Sequence, residues 1–384
     1  MNLFVIPSWY PSEIYPHSGT FFEQQAKILK NYVDNLVVIS SLIYSPKEFS
    51  ISKLRKFKKG LFVENGLNVI REEKFPPLPK IQRMYYYSNK TSIIKMLKKA
   101  LTEFGKPDFI ISYSSIWSGA SVVDYCIKNK VPIFISEHLK EFLLDNGFSK
   151  FQKNLIKKTY QFVDKIIVPS SAMKKSILKK FHQDREKVTV IPNPVDEAFL
   201  TAEIVHKKDI SEFKFVTVSL FRPEKRINWL IKAFKELVRE RQNLRLVIIG
   251  DGPEKNNIFR LINKLNVKKF ITLTGYLSKE EIIKILQKCH AYIQTSRVET
   301  FGMSIVEAMA LGLPVISTKC GGPEDFINKN NGILVDINNY KNLIDAMLRI
   351  IYDYNKYNPE TIRNYIIKNF NSEIFARSIL SLYR

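Results

Sequence analysis

Glu299 and Glu307 frame a polar loop and the start of a helix within residues 291–327, AYIQTSRVETFGMSIVEAMALGLPVISTKCGGPEDFI. Gly302 permits close approach of the backbone, and Met303 and Ser304 open a helix running on through Ile305, Val306, Ala308 and Met309. The first amides of a helix lack partners inside it and carry a partial positive charge, so this start is a seat for phosphate. A turn further in, Glu307 can accept hydrogen bonds from two neighbouring hydroxyls, as on a ribose, while Glu299 faces whatever lies beyond the phosphates. The spacing suits a sugar nucleotide. Taken singly, each glutamate also has a structural explanation, since acidic residues near a helix start stabilise its dipole and Glu307 could lie on the surface.

The elements that must position these residues recur along the chain. Short β-branched runs NLFVIP, VVIS, DFIIS, PIFIS and KIIVPS lie in the first half, and FKFVTVS, RLVIIG, KFITLTG, AYIQTS and PVIST in the second. Runs without polar alternation suit strands covered on both faces, as in a parallel sheet flanked by helices. Helical spacing at residues 228–240, 258–265 and 280–288 falls between the later runs. Pro192-Asn193-Pro194 interrupts helix and strand alike and serves as a hinge. We therefore expect an α/β chain of two Rossmann-like domains facing each other across a cleft, residues 1–195 and 196–365. Residues 366–384 are expected to form a C-terminal helix returning to the N-terminal domain.

Composition bounds the rest. With 384 residues, 45% hydrophobic and 25% charged, the chain is globular and exceeds one domain of about 100–200 residues. No apolar run approaches the roughly 18 residues of a spanning helix, and the N-terminus lacks a basic leader. Cys126, Cys289 and Cys320 form no CxxC pair, which points to reduced thiols and a cytoplasmic setting. His17, His182, His206 and His290 lack ligand spacing, and no Asp-x-Asp pair is present, so neither a metal nor a cofactor is expected. GDGPEK at residues 250–255 lacks the third glycine of a dinucleotide fingerprint and reads as a strand-end turn.

ETFGMSIVEAMALGLPVI resembles the E-x7-E signature of retaining glycosyltransferases with the GT-B fold, family four (glycosyl transferases group 1). PHSGTFFEQQAKIL, KIIVPSSAMKKSIL, VIPNPVD, RPEK, LVIIGDGP, ITLTGYLSKEEIIKIL, GGPEDFI and GILV follow in family order, so the resemblance spans nearly the whole chain. It implies a nucleotide-sugar donor, bound mainly by the second domain, and an acceptor bound by the first. Glu307 is similar to the glutamate that binds the nucleotide ribose, and Glu299 to the one that contacts hydroxyls of the transferred sugar. Gly302, Met303 and Ser304 match the stretch whose amides meet sugar and diphosphate, and Lys225 matches the lysine that neutralises the diphosphate. The phosphate loop departs from the family pattern, because Ser219, Leu220 and Arg226 replace a Gly-Arg pair and a later glycine. Arg222 could supply the second cation from a different point in the loop. Gly19, between a Pro-rich loop and the helix through Phe22, Ala26 and Leu29, is similar to the glycine that lets that loop approach the donor phosphate, with a plain turn as the alternative. His138, after PIFIS, is similar to the histidine at the catalytic crevice. No carboxylate is an evident nucleophile for double displacement, so same-face attack is expected, with His138 positioning the acceptor proton.

The implied activity is transfer of a hexose or N-acetylhexosamine, most commonly from a UDP-sugar, to a saccharide or lipid-linked saccharide in bacterial capsule, lipopolysaccharide or glycolipid synthesis. The net charge of +23, with +15 in residues 1–195 and +8 in 196–384, raises the question of an anionic partner. Residues 148–162 place Phe148, Phe151, Leu155 and Phe162 opposite Lys150, Lys153, Lys157 and Lys158, and Lys53, Arg55, Lys56, Lys58 and Lys59 form a second basic patch. These features suit peripheral binding to an anionic membrane surface at the inner leaflet, or else a core stripe with solvated lysines. Two other readings, a basic nucleic-acid-binding protein and a GT-B isomerase or phosphorylase, lack a nucleic-acid module or a located base; nucleic acid is not an expected partner.

Overall fold

A computed structural model describes residues 1–16, 18–44, 56–75, 81–204 and 209–383. The chain forms two compact units. The first comprises residues 1–169, 173–191 and 375–384, and the second residues 170–172 and 192–374.

The first unit is built on an eight-stranded sheet: β1 (Asn2–Pro7), β2 (Asn35–Ile43), β3 (Lys59–Glu64), β4 (Leu67–Lys74), β5 (Phe109–Tyr113), β6 (Ile133–Ser136), β7 (Lys165–Val168) and β8 (Val188–Val190). Its order is β3-β4-β2-β1-β5-β6-β7-β8. All neighbours run parallel except the β3–β4 hairpin, which turns at Asn65-Gly66 with both residues at positive φ. The central strands are apolar on both faces because helices cover both. Phe4, Ile6, Val37 and Ile39 join one core cluster, while Leu3, Val5, Leu36 and Val38 join the other. The hairpin was not expected from the sequence. Arg71, Glu72 and Glu73 interrupt its apolar run, so it reads as polar chain until paired with β2.

The second unit carries six parallel strands: β9 (Phe213–Val218), β10 (Leu244–Ile249), β11 (Ile271–Gly275), β12 (Ala291–Gln294), β13 (Val315–Thr318) and β14 (Gly332–Val335), in the order β11-β10-β9-β12-β13-β14. The order reverses between β9 and β12, the kind of switch point at whose C-terminal edge open α/β sheets take ligands.

Seven helices matter below: α1 (Thr20–Lys30), α2 (Gln82–Phe104), α3 (Lys150–Phe162), α4 (Ile227–Glu240), α5 (Met303–Ala310), α6 (Pro359–Phe370) and α7 (Ser372–Ser381). The expected boundary near residue 195 lies at Ile191–Pro192. The Pro-Asn-Pro segment belongs with the second unit, where the Val195 amide donates to the Phe370 carbonyl at the end of α6. Phe375, Ala376 and Ile379 of α7 lie in the first unit's core, and Tyr383 stacks on Phe109 with centroids 5.0 Å apart.

The stripe expected on residues 148–162 is shifted. The buried face of α3 is Leu155, Ile156, Thr159 and Tyr160, with Phe148 and Phe151 packed against the same core, and Phe162 is exposed. Most of the apolar side of this helix therefore serves its own unit and is not offered to a bilayer. Of the second basic patch, Lys53 and Arg55 lie outside the described residues. Lys58 pairs with Glu13 and Glu64, and Lys59 with Glu72.

Glu137, at the end of β6, is fully buried. Its Oε1 accepts the Ser115 amide at 2.9 Å and the Tyr160 hydroxyl at 3.0 Å, and Oε2 has no partner. Burial pushes its carboxyl up to about 7, well above the ordinary value of 4.5. The folded chain thus holds a proton that the unfolded chain has released, so stability falls as pH rises from about 4.5 to about 7. Comparing denaturant unfolding of the wild type and Glu137→Gln at pH 5 and pH 8 should show the difference moving toward the variant by up to about 3 kcal/mol.

Candidate functional site

Two loops at the C-terminal edge of the second sheet are joined by backbone and side-chain bonds. The Arg297 amide donates to the Glu224 carbonyl at 2.7 Å, and the Thr295 hydroxyl to the carbonyls of Lys225 and Arg226 at 3.1 and 3.2 Å. This brings Lys225, after β9, against Glu299, after β12. Three donors converge on Glu299 Oε1: Lys225 Nζ at 2.5 Å, Gln294 Nε2 at 2.5 Å and Ser296 Oγ at 2.7 Å. Its other oxygen takes part in none of these three bonds. The Glu299 backbone is pinned as well, its amide donating to the Cys320 carbonyl and its carbonyl accepting from the Gly322 amide.

Beneath this group, the buried Tyr292 hydroxyl donates to Ser304 Oγ at 2.7 Å and lies 3.1 Å from the Val218 carbonyl. It thereby links β12, β9 and the first turn of α5. Gln294, Ser296 and Tyr292 were not singled out from the sequence, although the alternating polar residues in AYIQTS were a signal that this strand end carries hydrogen bonds.

Gly302 is the N-cap of α5 at φ 110°, a conformation that disfavours any side chain, and a Cβ there would meet Ile305 Cδ1 at 3.0 Å. No side chain caps this helix. The Ile305 and Val306 amides both bond back to the Gly302 carbonyl, which leaves those of Met303 and Ser304 without an intrahelical partner. Glu307 lies a turn further along. Burial pushes its carboxyl up to about 7, with Asp196 raising it further and Lys279 opposing.

Lys225, Glu299, Gly302, Met303, Ser304 and Glu307 line one cleft of about 380 Å³, with Ser219, Leu220, Tyr276 and Leu277 on its other side. Lys225 is the sole cation among its described lining residues. Arg222 is placed elsewhere. It lines a neighbouring recess of about 290 Å³ with Arg226 and Lys232, so the expected partnership of Arg222 with Lys225 is not formed within one cleft. Arg226 itself is engaged, its guanidinium 3.4 Å from the Trp229 ring centroid and bonded to the Ile337 carbonyl at 2.5 Å.

In the first unit, Gly19 caps α1 at φ 73°, and a Cβ there would lie 2.5 Å from the Trp9 carbonyl oxygen. That backbone contact makes glycine necessary where the loop after β1 folds back on the helix. His138 follows β6, with Nε2 2.8 Å from Ser136 Oγ and its ring packed among Phe21, Phe22 and Tyr113. Burial lowers its imidazole to about 3, so the ring is neutral at ordinary pH. His17 and His206 lie outside the described residues, while His290 Nδ1 accepts the Lys214 amide within the second core. Among the described residues no group of three His, Cys, Asp or Glu is placed to hold a metal ion, and no helix is long and apolar enough to cross a membrane.

Two family models match this chain, one after the other along it. The Glycosyltransferase Family 4 model matches residues 54–199, and the glycosyl transferases group 1 model residues 201–370. The chain is 31% identical over 248 residues to the uncharacterized glycosyltransferase MJ1059 of Methanocaldococcus jannaschii, and the match spans 60% of each protein. Its fold is similar to that of the lipopolysaccharide outer core galactosyltransferase WaaB, with TM-score 0.74, 19% identity and 100% and 99% of the two chains covered. It is similar also to Anabaena HepE in complex with UDP, with TM-score 0.75, 18% identity and 99% of each chain covered. At these identities the structural likeness speaks for the fold alone. With two parallel-sheet α/β units of this kind and a matching model on each, the chain belongs to the GT-B glycosyltransferases of family 4.

Proposed function

We propose that the chain is a retaining, metal-independent glycosyltransferase. It moves a hexose or N-acetylhexosamine from a UDP-sugar to a saccharide or lipid-linked saccharide in surface polysaccharide or glycolipid synthesis. One observation carries this reading: a single cleft of the second unit holds an ammonium, two uncapped helix amides and two glutamates. Lys225 and the Met303 and Ser304 amides meet the diphosphate, Glu307 accepts from the ribose hydroxyls, and the free oxygen of Glu299 accepts from a hydroxyl of the transferred sugar. UDP, the nucleotide in the HepE complex, and the lipopolysaccharide role of WaaB support the choice of donor and acceptor class.

In the proposed step the bond between the anomeric carbon and the leaving phosphate oxygen breaks, and the acceptor oxygen bonds to that carbon from the same face. The acceptor proton passes to the departing phosphate oxygen. Lys225 and the helix amides stabilise charge that grows on the diphosphate as the bond opens, the moment at which stabilisation accelerates the reaction. Three donors on Oε1 of Glu299, one of them an ammonium, draw charge from its carboxylate and lower its nucleophilicity. His138, neutral, serves the acceptor hydroxyl through a hydrogen bond.

Thermal shift against nucleotides and sugar nucleotides should show stabilisation by the donor of about 2.7 kcal/mol at 100 times its dissociation constant. Lys225→Ala should weaken that binding by about 2 kcal/mol, roughly 30-fold. Stabilisation by none of these ligands would remove the reading.

Ionised Glu307 accepts from two hydroxyls, whereas its protonated form accepts less well. With its carboxyl at about 7, donor affinity should fall about tenfold between pH 8 and pH 6. Calorimetric titration with a sugar nucleotide, whose diphosphate does not titrate in this range, should record that fall in the wild type and its absence in Glu307→Gln. Proton NMR of the first-formed product should show the donor's anomeric configuration; the opposite configuration refutes same-face attack.

A further inference from the structure

Side chains alternate along β6 and its extension, so Phe134, Ser136 and His138 leave the sheet on one side and Ile135 and Glu137 on the other. Phe134 accordingly packs in the core cluster of Phe22 and Tyr113, and Ile135 in the opposite one. Glu137 makes its bonds on that opposite side, to the Ser115 amide and the Tyr160 hydroxyl. The carboxyl next to His138 in sequence therefore does not orient its ring.

Ser136 does. It is paired with Tyr113 of β5 and Ile167 of β7, and its carbonyl accepts the Ser114 amide at 2.9 Å. The following amide, of Glu137, donates to the Ile167 carbonyl at 2.9 Å, so the strand stays held up to the residue before His138. A serine fixed between two strands offers its hydroxyl at a defined point, and His138 Nε2 lies 2.8 Å from it. Three rings set the plane of the imidazole: Phe21 and Phe22 meet it edge-on at 4.9 and 5.5 Å, and Tyr113 lies at 5.9 Å.

The direction of the Ser136–His138 bond follows from burial. Ser136 is 4% exposed, and among the described residues Nε2 is the partner of its hydroxyl. A hydroxyl has one proton to donate, and donation to Nε2 satisfies it. Were Nε2–H the donor, that proton would be left unpaired in a buried setting, the costlier arrangement. Burial keeps the ring neutral. A neutral imidazole carries one proton, which then sits on Nδ1. Nδ1 makes no bond to the described residues, and His138 is half-buried.

We propose that Ser136 is a positioning residue: its hydroxyl holds His138 with the proton on Nδ1, so that the ring donates a hydrogen bond to a substrate hydroxyl and takes no proton from it. The substrate's part in this statement rests on the transferase reading; the tautomer does not. Both nitrogens are engaged, Nε2 as acceptor and Nδ1 as donor, which leaves the substrate hydroxyl's own proton for the departing phosphate oxygen.

Long-range proton–nitrogen correlation NMR of the full chain, labelled at its five histidines, should show His138 protonated at Nδ1 and bare at Nε2, its signals assigned by their loss in His138→Gln. Ser136→Ala should move the ring toward the Nε2–H form, whereas Ser136→Thr, which keeps the hydroxyl, should not. UDP release should be followed with whichever of UDP-glucose, UDP-galactose and UDP-N-acetylglucosamine stabilises the chain most. Ser136→Ala should lower kcat about tenfold with KM within about twofold and the thermal shift by UDP unchanged, and Ser136→Thr should restore kcat. A wild-type proton on Nε2, a tautomer or kcat unmoved in Ser136→Ala, or a loss that Ser136→Thr does not restore would overturn the proposal. If no nucleotide binds, the transferase reading falls, while the tautomer in wild type and Ser136→Ala still decides the part played by Ser136.

Discussion

Three hydrogen bonds to one oxygen of Glu299 hold the candidate site together. Lys225, Gln294 and Ser296 come from two loops and a strand end, and each donates to Oε1. A partly buried ion pair repays its desolvation only when geometry is good and further hydrogen bonds are made, and both conditions are met here. The ammonium retains other donors and the carboxylate one oxygen outside these three bonds, so the arrangement is held by contacts within the protein. Because the Thr295 and Arg297 bonds join the same two loops, displacing either loop would disturb both charges.

The helix opening beside this pair has no side-chain cap, as is also the case for α1, α2 and α4, whereas some other helices are capped. Ser149 with Gln152 and Ser278 with Glu281 form full capping boxes at the starts of α3 and of the helix Lys279–Leu286. At α5 the cap position is Gly302, and the first amides remain unpaired. A serine or aspartate cap would add about 1 kcal/mol of stability and would occupy one of these amides.

Several features escaped the sequence because their meaning depends on partners far away in the chain. The β3–β4 hairpin contains Arg71 and Glu73, which read as surface residues and are in fact buried against each other and Glu64. Its Asn65-Gly66 turn was the available signal. The stripe through Phe148 and Phe162 came from spacing alone, whereas the core selected the neighbouring face through Ile156 and Tyr160. Arg222 and Lys225 are close in sequence, yet a short 3-10 turn at Pro223–Lys225 directs them to separate recesses.

What the residues determined unaided was the repeating strand-and-helix order, the proline interruption next to the boundary between the units, and the glutamate, glycine and helix-start series from Glu299 to Glu307. Those are local properties: strand runs covered on both faces, φ restrictions, and unpaired amides at a helix start, all legible within a few residues. Tertiary structure alone decided which oxygen of Glu299 takes the three bonds and which cation stands in the cleft. Such facts arise from side chains brought together across more than thirty residues of chain, and no local pattern encodes a contact at that separation.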